Sequence, residues 1–226
     1  MISARSRVTR NCASILFTLV VATFAASTTD ASDYTARNGG PSSKQMLARS
    51  SGPSDGLAFF RPVLSGVLYR SGFHGGDKGR TGLSSAQREE LCEAGFSGAR
   101  YIDFGKNTKY GTTQCGGQSL DYQGGRSTST ADIMRQVHTT IKNPGAGPVL
   151  VHCMWGVHSS GAVSAMALVQ FCGWSEERAK KYWDDARNGA DCSGGCSTWI
   201  DKHFAKFKVD PALKISSAEQ AAICPK

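Results

Sequence analysis

Beyond residue 30 the sequence has no apolar run approaching the roughly 18 residues that a membrane-spanning helix needs, so no membrane partner is expected for the exported chain. It has no internal repeat, which sets aside solenoids and propellers. It has no nucleic-acid-binding motif, and its basic residues are scattered rather than gathered into a stripe. Nucleic acid is therefore not expected as a partner, although the formal net charge is +8. Cys192 and Cys196 stand four positions apart, but no His or Cys pair at ligand spacing accompanies them, and no metal or other cofactor is implied. The positive balance favours anionic partners instead. A length of 226 residues suffices for one domain with a full core, expected to act as a monomer.

The N-terminus has its own pattern. Arg5, Arg7 and Arg10 precede the apolar run ASILFTLVVATFAA, and small residues follow in AASTTDAS; no lipid-attachment cysteine comes after the run. This is the layout of a secretory signal peptide over residues 1–31, with a retained membrane anchor as the alternative. Residues 32–56 are polar and rich in Gly, Ser and Pro, and are read as a flexible leader. The ordered domain is expected over residues 57–226, in a secreted or periplasmic protein.

Export bears on the cysteines. Without Cys12 there remain Cys92, Cys115, Cys153, Cys172, Cys192, Cys196 and Cys224, an odd set that leaves at least one free thiol in an oxidising compartment. Cys92 and Cys172 fall in segments that read as helix interiors, where an unpaired thiol packs as a small hydrophobe. Two bridges are expected among Cys115, Cys192, Cys196 and Cys224.

Elements alternate along the domain. GVLYR reads as a strand and is followed by the Gly-rich SGFHGGDKGRTG. Ser84 or Ser85 caps a helix to about Glu93, with Gly95 as its stop. ARYIDF reads as a strand, residues 105–117 as a loop, and SLDYQ as a strand. Thr128 or Thr130 caps a helix with Ile133, Met134, Val137 and Ile141 at helical spacing. PVLVHC is a continuous apolar run suited to a buried parallel strand. Three helices follow, GAVSAMALVQFCG, SEERAKKYWDDARN and STWIDKHFAKF. The fold class implied is α/β, one domain with a central, mostly parallel sheet flanked by helices.

The chemistry concentrates in VLVHCMWGVHSSGAVSAMAL, a strand, a Cys, a short loop with Gly156, and a helix. That arrangement aims successive backbone N–H groups and a helix N-terminus at one point. It favours a sulfur nucleophile in its reactive form and holds the oxygens of a tetrahedral anion beside it.

The stretch resembles the signature of the protein tyrosine and dual-specificity phosphatases: a strand ending in His-Cys, five residues, Arg, then Ser or Thr and often Gly. His152, Cys153, Gly156, Ser160 and Gly161 fall in register; the arginine position is occupied by Ser159. GVLYRSG, and the helix and strand after it, resemble the N-terminal half of dual-specificity phosphatases. The resemblance covers roughly residues 60–185. It implies a phosphatase-like Cys loop acting on a phosphorylated protein or small molecule. Cys153 would attack phosphorus, Asp121 would protonate the leaving oxygen, and Ser160 would hydrogen-bond the sulfur. His152 would orient the loop, and the main chain of Met154, Trp155, Gly156, Val157, His158, Ser159 and Gly161 would bind phosphate. Arg126, or else Arg70, Lys78 or Arg80, would stand in for the missing loop arginine.

Plainer readings stand beside these. Cys153 also reads as a buried structural thiol, Asp121 as a solvated strand residue, and His158 and Arg126 as surface loop residues. Trp155 either walls the pocket or joins the core; His74 and Asp77 read as turn-formers. Trp174, Trp183, Trp199 and Tyr182 most simply pack the last helices onto the sheet. At the level of function, the alternatives are an inactive relative that binds phosphorylated or sulfated ligands, and another Cys enzyme such as a sulfurtransferase.

Overall fold

A computed structural model of the chain describes residues 57, 59–72, 82–102, 108–124, 129–187 and 196–226. The signal and leader segments, His74, Asp77, Lys78, Arg80, Arg126 and Cys192 lie outside the described residues. The elements are β1 (Arg61–Leu64), β2 (Leu68–Gly72), α1 (Ser85–Glu93), β3 (Gly98–Tyr101), β4 (Thr108–Cys115) and β5 (Gln118–Gly124). They continue with α2 (Thr130–Lys142), β6 (Val149–Cys153), α3 (Ser159–Cys172), α4 (Glu176–Arg187), α5 (Cys196–Lys206) and α6 (Ser217–Ile223).

One sheet of six strands runs in the order β1-β2-β6-β3-β5-β4. The inner pairs β2/β6, β6/β3 and β3/β5 are parallel, and the edge strands β1 and β4 pair antiparallel. Parallel strands need crossovers, and the helices that make them cover both faces. Ile133, Met134, Val137 and Ile141 of α2 pack with Val149 and Val151 and with the buried side of α3. On the other face Leu91 and Cys92 of α1 pack with Ala99, Tyr101, Leu120, Tyr122 and Leu150. All five residues of β6 are buried, as its unbroken apolar run requires.

Helix starts follow the capping logic. Ser84 accepts from the N–H of Gln87, whose side chain accepts from the N–H of Ser84. The second cap is Ser129, between the two threonines expected, and it forms the same reciprocal box with Asp132. Helix α3 is apolar nearly all round because α4, α5 and α6 pack its outer side through Ala179, Tyr182, Trp183, Ile200, Phe204 and Ile223.

Two expectations are corrected. Much of the stretch read as a loop over residues 105–117 is β4, an edge strand joined to β5 by the two-residue turn Gly116-Gly117, both at positive φ (47° and 88°). A Gly-Gly pair between two strands is a hairpin signal. The disulfides are Cys92–Cys115 and Cys172–Cys224, with Cα separations of 6.0 and 5.7 Å. Cys92 and Cys172 are thus bridged rather than unpaired. A Cys in a helix can face a neighbouring element, and the covering elements, edge strand β4 and the C-terminal segment after α6, are set by packing that local sequence does not display. Among the described residues the free thiol is Cys153, and no helix is long and apolar enough to cross a membrane.

Candidate active site

Cys153 ends β6, which has parallel neighbours on both sides. It aligns with Gly72 of β2, and His152 aligns with Tyr101 of β3. Ligands of open parallel sheets bind beyond the carboxyl ends of the strands, where Cys153 stands. The chain then turns through residues 154–158 and enters α3 at Ser159. Two glycines make this tight turn possible. Gly156 has φ +67°, and a Cβ there would collide with the backbone of Gly72; a Cβ at Gly72 would lie 2.7 Å from the nitrogen of Gly156.

The orientation of the loop peptides is fixed from the interior. Arg70 Nη2 donates to the carbonyls of Gly156 (2.5 Å) and Val157 (3.4 Å). Trp183 Nε1 of α4 donates to the carbonyl of His158 at 3.0 Å, and the first α-helical N–H, that of Ala162, bonds the same oxygen. In a trans peptide the C=O of one residue and the N–H of the next point in opposite directions. Three carbonyls turned inward therefore turn the N–H groups of Val157, His158 and Ser159 outward, alongside the unpaired first-turn amides of α3. The result is a cup of main-chain donors facing away from the core.

Cys153 lies at the base of that cup. It is 5% exposed and belongs to neither large apolar cluster. Its Sγ is 3.3 Å from Ser160 Oγ, and Ser160 in turn donates to the carbonyl of Ser71 at 3.4 Å. Trp155 is 51% exposed on the rim, while Met154, His158 and Ser159 are half-buried.

His152 lies on the other face of the sheet and does not line the cup. It stacks on Tyr101 with ring centroids 4.9 Å apart, and its Nε2 is 3.0 Å from the hydroxyl of Tyr122. That hydroxyl also accepts from the N–H of Leu83 at 2.8 Å. Burial pushes the His152 pKa down to about 3, so the ring is neutral. It fixes the end of β6 from the face opposite the loop.

Asp121 is placed elsewhere. It aligns with Gly98, and Gly98 with Val149, four residues before Cys153. At about 3.3 Å per residue, that is roughly 13 Å down the strand direction. Its carboxylate accepts from Arg100 Nη2 at 2.7 Å and from Gln123 Nε2 at 2.8 Å. Asp121 is the counter-ion of Arg100, and the role of general acid does not fit this position. Gly161, in the first turn of α3, is closely packed: a Cβ there would sit 2.9 Å from Trp183 Cδ1 and 3.0 Å from Arg70 Nη2. The sequence reading missed Trp183 as a loop anchor, since nothing local separates it from a packing residue. Arg70 entered only as one of several spare cations.

Fold and loop together define an α/β domain with a free thiol at the base of a main-chain amide cup. No family model and no curated protein sequence matches the chain. Solved structures similar to it include Tk-PTP in its active form, at 16% identity over 66% of this chain and 97% of that one, with a TM-score of 0.43. Another is TpbA of P. aeruginosa, at 19% identity over 67% of this chain and 92% of that one, with a TM-score of 0.40. A third is the human tyrosine phosphatase-like serine/threonine/tyrosine-interacting protein, at 16% identity over 65% and 95%, also with a TM-score of 0.40. These are low values, and the chemistry assigned to the loop comes from its own geometry.

Proposed function

We propose that the chain is an exported cysteine-dependent phosphatase of the tyrosine or dual-specificity type, acting on aryl phosphomonoesters of proteins or small molecules. The observation that carries this reading is the free Cys153 thiol beneath peptide groups whose N–H ends face outward. The amides hold the phosphoryl oxygens, and Cys153 Sγ attacks phosphorus. An S–P bond forms, the P–O bond breaks, and its electron pair leaves on the oxygen. Water then attacks phosphorus, the S–P bond breaks, and phosphate and the thiolate are released. The hydroxyl of Ser160, 3.3 Å from the sulfur, turns from the Ser71 carbonyl to donate to the sulfur as it departs.

The leaving group follows from what the site does not use. Asp121 is committed to Arg100 at the far end of the strands. A phenol, with a pKa of about 10, leaves with less protonation than an alkyl alcohol. Trp155 offers an exposed flat surface at the rim for the aryl ring. Ser159 supplies neither the charge nor the fork of the signature arginine, so turnover is slow. Residues 1–31 serve as the export signal and 32–56 as a leader; disulfides Cys92–Cys115 and Cys172–Cys224 suit an oxidising compartment.

Release of phosphate from p-nitrophenyl phosphate, with acid-quench trapping of a phosphocysteine, tests the proposal. The wild type should turn over and Cys153→Ser should not; Ser159→Arg should raise the rate by at least ~10-fold. Ser159 itself favours a second reading, a silent module that binds phosphorylated or sulfated ligands. Equal, near-zero rates in wild type and Cys153→Ser with phosphate binding retained would select that reading.

A further inference from the structure

Arg70 is fully buried, an unusual place for a guanidinium. Strand alternation puts it on the same sheet face as its partner Val151 and as Cys153, the face covered by α3. Nη2 is taken by the carbonyls of Gly156 and Val157, but Nε and Nη1 are buried with no partner among the described residues. Carbonyl oxygens carry only partial charge, so among the described residues this buried unit positive charge has no counter-ion. Nη2 lies 3.0 Å from the Cβ position of Gly161, and the preceding residue, Ser160, has its hydroxyl 3.3 Å from Cys153 Sγ. The uncompensated cation therefore backs the same turn whose outer side carries the amides and the sulfur.

We propose that Arg70 is the cation of this oxyanion site, stabilising the Cys153 thiolate and a tetrahedral oxyanion above it from beneath the loop, where Ser159 leaves the loop itself uncharged. This inference rests on the reading of the loop as an anion cup. In a low-dielectric interior a charge acts at longer range and is screened little by salt. The ligand class is a phosphate or sulfate monoester group, and the same charge serves either. A merely structural role would make Arg70 a brace for two carbonyls, with its charge irrelevant.

The two roles separate in Arg70→Lys and Arg70→Met, which both lose the forked brace but differ in charge. Binding of inorganic phosphate, and separately of sulfate, is measured by calorimetry on the folded, disulfide-intact protein. Cys153 alkylation by iodoacetamide at about pH 6 is measured in parallel. A charge role predicts an affinity loss on the order of 10²-fold in Arg70→Met and only about 3-fold in Arg70→Lys. Alkylation follows the same order. Equal losses in Arg70→Lys and Arg70→Met would overturn the proposal. If Arg70→Met fails to fold, the wild type still decides: its phosphate affinity should change less than about 3-fold between low and physiological salt. A steep fall with salt would assign the charge to surface residues and overturn the role of Arg70. Absence of phosphate and sulfate binding in the wild type would sink the anion cup as well, whereas binding with equal Arg70 variants sinks the inference alone.

Discussion

Two buried arginines flank the central strand at the same height. Arg70 on β2 and Arg100 on β3 both align with Val151 of β6, and alternation puts both on one face of the sheet. Arg100 reaches back along the sheet. Its Nη2 meets the Asp121 carboxylate at 2.7 Å, and its Nη1 meets the carbonyls of Ala99 and Asp121 at 2.8 and 2.6 Å. Arg70 reaches forward to the Cys loop and, among the described residues, bonds only carbonyls. One end of the sheet is electrostatically closed by an ion pair; at the other, open end a guanidinium is set against carbonyls. A buried charge without a counter-ion is costly, and the proposed anion site sets that cost beside a free thiol and a row of outward amides.

The comparison can be broken or sharpened experimentally. The largest effect is expected from His152, on the opposite face beside Arg70's neighbour Ser71. Its pKa is about 3 in the fold, against an ordinary value of 6.5. Between those values the unfolded chain binds a proton that the folded chain does not, so stability is complete above about pH 6.5 and is lost as the pH falls toward 3. The slope approaches about 1.4 kcal/mol per pH unit from this group alone. Urea unfolding across that range should show the slope in wild type and a flatter profile in His152→Asn; parallel profiles would refute a buried neutral ring.

A smaller effect is expected at the closed end. Asp121→Asn removes the counter-ion of Arg100, whose side chain is 9% exposed while that of Asp121 is 40% exposed. This mixed exposure sets the cost at about 1–2 kcal/mol of stability. The initial rate on p-nitrophenyl phosphate should be unchanged. A variant that keeps its stability and loses its rate would return Asp121 to the chemistry and dissolve the contrast between the two ends.

Much of the open end was legible from residues alone. The apolar run into His152-Cys153, Gly156 and the Ser160-Gly161 start of α3 are local features, and local backbone rules translate them into strand, turn and helix. Arg70's part was not legible, because it depends on β2 lying next to β6 in a register that sets a side chain from residue 70 under carbonyls of residues 156 and 157. Asp121 failed for the same reason in reverse. Its spacing from Cys153 fits a general acid, but spacing along the chain does not reveal that β5 places it level with the start of β6. The disulfides depended on which elements cover α1 and α3, and so on packing at long range. The hairpin at Gly116-Gly117 follows from turn rules, but the edge strand before it alternates weakly and gives no strand signal of its own.

The central claim is that inward carbonyls force the loop amides outward over a free sulfur. A crystal structure of the protein with orthovanadate tests it most directly. The account predicts vanadium bonded to Cys153 Sγ, with the N–H groups of Val157, His158 and Ser159 directed at its oxygens and Arg70 still on the carbonyls beneath. Vanadate absent from the loop at saturation, or bound with those peptides flipped so that carbonyls face it, would contradict the account.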